Sequence, residues 1–171
     1  MLSEVAAPLS QKCENLKRRF IMPGAKHKNY TYERLTQKKP DNQKIVTIAI
    51  TITTGNIPNA GTDANVTLLI GAKRFDLDIA GYDDFERGDT DTYYFKTDMT
   101  LSELRKAYIE LSHDNSGNKP GWYVANVVLQ VQFPNSSYMA LYKRWGNIGW
   151  LAKDEPPYYT TSVELQQGQE I

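Results

Sequence analysis

Carboxylates in this chain gather in a few short stretches instead of spreading along it. Residues 76 to 91 hold Asp76, Asp78, Asp83, Asp84, Glu86, Asp89 and Asp91, and a second acidic stretch opens with His113-Asp114-Asn115. A third group, Asn59, Gly61 and Asp63, runs with no spacer into the apolar Val66-Thr67-Leu68-Leu69-Ile70. Hard cations such as Ca²⁺ take roughly six to eight oxygens from carboxylates, amides and backbone carbonyls, and clustered like charges repel without one. An oxygen-rich, thiol-free set suits Ca²⁺ better than zinc or copper. The alternative is that these aspartates form turns and solvate loops, since Asp bonds nearby backbone and tolerates tight conformations. An EF-hand is excluded. The segment from Asp114, DNSGNKPGWYVA, lacks Gly at the sixth loop position and ends on Ala125 where a bidentate Glu is needed. Any cation site is therefore assembled from separate loops.

Other chemistries find no support. His113 beside Asp114 suggests a catalytic pair, but no Gly-x-Ser-x-Gly elbow exists, and Cys13 lies far from both histidines in the sequence. His113 reads as a strand-end residue, and the chain as no enzyme. One cysteine permits neither an intrachain disulfide nor a cysteine-built zinc site. No phosphate-binding Gly-rich loop with Lys occurs.

The elements that must position the acidic stretches come next. At 171 residues, with 40% hydrophobic and 23% charged content, the chain has the size and composition of one globular domain plus an appendage. Nothing approaches the roughly 18 to 20 consecutive apolar residues of a membrane span, and the first thirty residues lack the apolar core of a secretory signal. A soluble, intracellular protein, cytoplasmic or peripheral to a membrane, is expected. Net charge is zero but uneven: residues 1 to 45 carry ten Lys or Arg against four Asp or Glu, +6, leaving −6 for residues 46 to 171. The acidic remainder argues against a nucleic-acid surface.

The basic appendage is assigned residues 1 to 43. Leu2, Val5, Ala6, Leu9, Cys13, Leu16 and Phe20 recur at helical spacing. Pro8 suits a first helical turn, so the helix is placed at about 8 to 19, with Lys17, Arg18 and Arg19 in its last turn. Such a helix docks on the domain or another subunit, or meets acidic lipid or nucleic acid through its basic face. Residues 21 to 43 read as linker, residues 44 to 167 as the fold and residues 168 to 171 as a tail.

From Lys44 the period changes to two. Val46, Ile48, Ile50 and Ile52 alternate with Thr47, Ala49, Thr51 and Thr53, and Phe75, Leu77 and Ile79 alternate with charged residues. Further strands are expected at 66–70, 92–96, 107–112, 122–133, 138–144 and 158–165. Thr100-Leu101-Ser102-Glu103 matches a capping box and predicts a short helical turn over 101–106. Trp122, opening a long strand, is expected in the core. The count is eight strands separated by turns, as in an all-β sandwich.

Taken in order, the motifs resemble the PLAT domain family, named for polycystin, lipoxygenase and alpha-toxin. They are Thr54-Gly55, then Ala60-Gly61-Thr62-Asp63-Ala64-Asn65-Val66, then Asp84-Phe85-Glu86-Arg87-Gly88 with Asp91 and Tyr93. Ile109-Glu110-Leu111-Ser112-His113-Asp114, Pro120-Gly121-Trp122-Tyr123 and Trp150-Leu151 follow, and the likeness covers about 45 to 165. The resemblance implies an eight-stranded antiparallel β-sandwich. It also implies a non-catalytic role, docking to membrane lipid or to a protein partner, often helped by Ca²⁺ held in loops at one end. Carried over position by position, it implies Asn59, the Gly61 carbonyl and Asp63 as ligands in the first loop. The second loop supplies Asp83 and Asp84 with Asp78 and the Gly81 carbonyl, and the third supplies Asp114 with the Asn115 carbonyl. Lipid contact in such domains comes from apolar loop tips, here Ile57, Pro58 and Tyr82, with Trp145 and Trp150 near the last connection. Phe85 and Arg87 are expected to hold the second loop together, Arg87 by pairing with Asp89 or Asp91. The alternative is a protein-interaction adaptor, or an accessory subunit of a lipid-processing enzyme, that uses the same sandwich with the N-terminal helix as docking element.

Overall fold

Alternation of β-branched and polar residues builds two stacked sheets in the computed structural model, which describes residues 33–34 and 40–165. The expected helix at 8–19 and the tail at 168–171 lie outside the described residues. The strands are β1 (Glu33–Arg34), β2 (Thr47–Thr54), β3 (Val66–Ile70), β4 (Lys73–Leu77) and β5 (Thr90–Lys96), then β6 (Ile109–His113), β7 (Trp122–Gln132), β8 (Ala140–Leu151) and β9 (Ser162–Glu164). Eight of them, β2 to β9, form the expected sandwich of two four-stranded antiparallel sheets, ordered β8-β7-β2-β5 and β4-β3-β6-β9. The two-residue β1 adds to the edge of the first sheet, parallel to β8, with Glu33 opposite Ala140 and Arg34 opposite Leu141. A stretch read from sequence as linker thus contains a strand.

Period-2 patterning decides which face is buried. Ile48, Ile50 and Ile52 of β2 point into the core with Leu129 and Val131 of β7, and across the gap they meet Leu68, Ile70, Leu111 and Phe75. On the outer face, threonine hydroxyls pair across β2 and β5, Thr51 with Thr92 at 2.9 Å and Thr53 with Thr90 at 3.0 Å. The sole helix among the described residues, α1 (Leu101–Lys106), starts on the predicted capping box: Thr100 accepts from the Glu103 N–H, and Glu103 accepts from the Thr100 N–H. Its Leu101 and Leu104 close the far end of the core.

Three boundaries differ from the sequence reading. β4 ends at Leu77, so Ile79 turns out to solvent instead of continuing the alternation. β8 runs on to Leu151 because Gly146 and Gly149 are absorbed by a register shift opposite Val124 and Asn126 and do not end the strand. Conversely, β9 starts only at Ser162, leaving Tyr158 and Tyr159 on an exposed connection.

Topology places the acidic stretches together. The ends Thr54, Val66, Leu77, Thr90, His113, Trp122 and Leu151 fall at one end of the sandwich, as their registers require. The connections at that end, β2 to β3, β4 to β5, β6 to β7 and β8 to β9, all cross from one sheet to the other. At the opposite end, β3 to β4 and β7 to β8 stay within their sheets, and the connection carrying α1 crosses.

Candidate functional site

The loop 55–65 is the hub of this end. It leaves β2 at Thr54, whose buried hydroxyl accepts the Trp122 Nε1–H at 3.0 Å, and it is pinned to the start of β7 by Gly55 N–H to Tyr123 O (2.8 Å) and Tyr123 N–H to Ala60 O (2.9 Å). The buried Thr62 donates its hydroxyl to Pro120 O (3.1 Å) and accepts the Ala64 N–H (3.2 Å), a local turn that aims the next residue, Asp63, outward.

This hub touches both acidic loops. Toward the third, a Cβ on Gly117 would lie 2.7 Å from Asp63 Cβ and 2.8 Å from Asp63 O, so only glycine allows that approach, and Gly117 also has φ +80°. Asn65 extends the β3–β6 ladder beyond Val66. It donates its backbone N–H to Asp114 Oδ1 (3.1 Å) and its Nδ2–H to Oδ2 (2.6 Å), and its carbonyl accepts the Asp114 N–H (3.1 Å). Ser116 adds its N–H (2.9 Å) and hydroxyl (2.6 Å) to Asp114 Oδ1. The Ser116 hydroxyl, and then Asn65, hold the Asp114 carboxyl well below the usual carboxylate range.

Toward the second loop, a Cβ on Gly61 would meet Phe85 O at 3.1 Å and Arg87 N at 3.3 Å. Arg87 donates Nε–H to Asn56 Oδ1 at 3.1 Å, so it ties the second loop to the first and does not pair with Asp89 or Asp91. Phe85 packs inward as expected, stacked on Tyr93 (5.6 Å between ring centroids) and edge-on to the buried Trp122 (4.9 Å).

Within the second loop the carboxylates split into inward and outward sets. Asp84 accepts the Ile79 N–H at Oδ2 and the Tyr93 hydroxyl at Oδ1, both at 2.8 Å, and Asp91 accepts the Phe85 N–H at 3.0 Å. Burial, reinforced by neighbouring carboxylates, pushes both acids up: Asp78 and Asp83 act on Asp84, while Asp84 and Asp89 act on Asp91. Burial with Asp91 and Asp89 also pushes the Tyr82 hydroxyl up to about 12, and it donates to Asp89 at 3.3 Å. Asp63, Asp78 and Asp83 are exposed, as are Asn59 (φ 62°) and Gly81 (φ 78°), while Asn115 (φ 60°) donates its N–H to His113 Nδ1.

The first loop therefore meets both others, Asp63 against the third and Gly61 against the second, while Asp84 and Asp114 are turned onto protein donors. Among the described residues, no three Asp, Glu, His or Cys side chains converge closely enough to hold a metal. A hard cation is matched by the type of donor present, and binding it requires the exposed carboxylates to draw in.

Of the apolar candidates, Ile57 (37% exposed), Pro58 and Tyr82 (49%) stand at this end, joined by Ile79 (38%). Trp145 does not. It lies mid-strand opposite Val127 and packs against the core, because β8 continues through the glycines that read as a connection. Trp150 is half-buried, edge-on to Tyr123 at 5.4 Å. Sequence reasoning missed Asn65, Ser116 and Asn56 as loop fasteners, and missed the exposed Tyr158 and Tyr159 on the connection after β8.

Comparison with known proteins agrees with this geometry. The PLAT/LH2 domain family matches residues 48–148. Mouse lipoxygenase homology domain-containing protein 1 is 31% identical over 112 residues, 62% of this chain and 5% of that protein. The mouse polycystin family receptor for egg jelly is 30% identical over 112 residues, 61% of this chain and 5% of its own length. The chain thus spans about a twentieth of these curated relatives. Among solved structures, alpha toxin from Clostridium absonum superposes with a TM-score of 0.58 at 18% identity, covering 77% of this chain and 33% of the toxin, a likeness of fold. With the family matched from β2 into β8, and its sandwich formed by all eight strands, this chain belongs to the PLAT/LH2 domain family.

Proposed function

We propose that this PLAT domain is a non-catalytic docking module that sits on membrane lipid through its loop end, with Ca²⁺ held between the loops. The observation that carries this reading is the exposure of Ile57, Ile79 and Tyr82 at the end that also presents Asp63, Asp78 and Asp83. Apolar tips enter the headgroup boundary, but acidic loops are repelled by anionic lipid unless a cation neutralises them. Asn59, the Gly61 carbonyl and Asp63 would hold Ca²⁺ from the first loop, with Asp78, Asp83, Asp84 and the Gly81 carbonyl from the second. Asp84 accepts two hydrogen bonds and keeps lone pairs for a cation, whereas Asp114 already accepts four. Asp114 therefore supports this site chiefly by fixing Asn65 and the third loop, with the Asn115 carbonyl beside it. Bound Ca²⁺ would supply positive charge where lipid phosphate arrives.

Co-sedimentation with phosphatidylserine vesicles, in Ca²⁺ or in chelator, tests the reading. Binding in Ca²⁺, reduced by chelator and by Ile57→Ser with Tyr82→Ser, is expected; equal and negligible pelleting in both would remove the membrane role. Calorimetry tests the cation separately. Asp63→Asn is expected to weaken Ca²⁺ binding by deleting a ligand charge, and no heat from the unsubstituted protein would dismiss the ligand set.

A further inference from the structure

The connection from β8 to β9 is the part of the loop end that the docking role leaves unused. It departs after the buried Leu151 and Ala152, and residues 153 to 159 are then exposed without interruption, the longest such run among the described residues. Its sequence is Lys153-Asp154-Glu155-Pro156-Pro157-Tyr158-Tyr159. Tyr158 is 41% exposed, and Tyr159, at 62%, is the most exposed large apolar side chain among the described residues. Neither tyrosine hydroxyl is hydrogen-bonded among the described residues, so the fold makes no use of them.

We propose that Pro156-Pro157-Tyr158-Tyr159 is a docking motif for a WW-type domain, a small module whose aromatic groove reads two prolines followed, after any one residue, by tyrosine. The chemistry fits position by position. Adjacent prolines hold φ near roughly −65°, lose little freedom on binding and lay flat rings against the aromatic rings of the groove. The third position is not read, so Tyr158 is free to differ. The fourth takes a ring with a polar tip, which Tyr159 supplies and the fold leaves in water. Asp154 and Glu155 precede the prolines and favour a groove with a basic rim. The run is tied down lightly. Pro157 pairs with Trp150 and rests on Gly149, where a Cβ would lie 3.3 Å from Pro157 Cδ. Tyr159, at φ 51°, donates its N–H to Glu155 O at 3.2 Å. The groove takes the run extended, so docking gives up this hydrogen bond and the Pro157 contact. Ala152 and Thr160 pair at the base of the run, which confines the opening to the exposed residues.

The test uses a recombinant WW domain of the Pro-Pro-x-Tyr-reading class, its binding to the full chain followed by calorimetry, with a peptide of residues 152 to 161 as reference. The chain is expected to bind about tenfold more weakly than the peptide, because the opening lowers the competent fraction. Tyr159→Ala, and separately Pro156→Ala, should each weaken binding at least about tenfold, as loss of an anchor does, while Tyr158→Ala should change it less than about twofold. Near-ultraviolet circular dichroism from the buried Trp122 should be the same in all variants. A chain that fails to bind at about a hundred times the dissociation constant of the peptide overturns the proposal, since the fold then withholds the motif. So does a peptide that the domain ignores. Equal losses from Tyr158→Ala and Tyr159→Ala would mark an unspecific aromatic patch and overturn it as well. Vesicle pelleting that falls in Tyr159→Ala, with no WW-domain binding, would assign the ring to the membrane instead.

Discussion

Gly117→Ala probes the junction on which the candidate site depends. Gly117 has φ +80°, and an added Cβ would lie 2.7 Å from Asp63 Cβ and 2.8 Å from Asp63 O. A left-handed conformation costs a non-glycine residue roughly 1–2 kcal/mol. The collision adds to this, because carbon atoms pack best at about 3.5–4.0 Å and the two loops must part by ~1 Å. Both loops are exposed, so they can yield, and the net expectation is a loss of about 1–2 kcal/mol, mostly the backbone cost. With a urea slope of about 2 kcal/mol per molar, mid-range for a small domain, the midpoint falls by ~0.5–1 M. Gly117→Asn separates the two causes, since Asn tolerates the left-handed region but carries the same Cβ. It should recover much of the stability and still displace Asp63, so both variants should shift the Asp63 amide resonance, and both should weaken Ca²⁺ binding. An Ala variant with an unchanged midpoint and an unmoved Asp63 amide would show that the first and third loops do not meet as described.

Other expectations follow from single contacts. Thr54→Val keeps the shape of the side chain but strands the buried Trp122 N–H, so urea unfolding should show a loss of about 1–3 kcal/mol. His113 is buried with Nε2 2.8 Å from Leu151 O and Nδ1 accepting from Asn115, an arrangement that suits the neutral Nε2–H tautomer. Burial pulls its pKa below the ordinary histidine value of 6.5. Its stabilising contribution is therefore complete above that value and is lost as pH falls toward the lower folded value, because the unfolded chain takes up the proton first. Urea midpoints across this window should fall with acidification, and should fall less in His113→Gln. Asp91 has the opposite sign of effect: its raised folded pKa means that stability declines as pH rises from the unfolded value through the folded one. Asp91→Asn retains an acceptor for the Phe85 N–H and removes the like charge beside Asp84. Its thermal midpoint should exceed that of the unsubstituted protein at neutral pH, and the gain should vanish in acid.

Local pattern carried the architecture. Ile48, Ile50 and Ile52 announce a half-buried strand because side chains alternate on a pleat, and Thr100 with Glu103 announces a helix start because both partners lie within one turn. Glycine was harder to read. Gly146 and Gly149 look like a connection, and only the pairing with Val124 and Asn126 shows that β8 continues through them, which removes Trp145 from the loop end. The acidic loops were visible as composition, but the direction of each carboxylate was not. Asp114 is held by Asn65, 49 residues away, and Arg87 by Asn56, 31 residues away. Such partners are chosen by the register of the folded sheets, which no local spacing reports.

The four connections at the loop end each join one layer to the other. The opposite end has two hairpins that stay within a sheet and a single crossing. The domain is thus stitched like a book mainly along one edge, with four crossings at the loop end against one at the other, so sliding one layer over the other strains every loop there. A ligand gripped between these loops, as in the proposed docking role, would tighten that binding. Its effect would be felt as shear resistance across the whole sandwich, so that occupancy at the tip becomes a mechanical property of the domain.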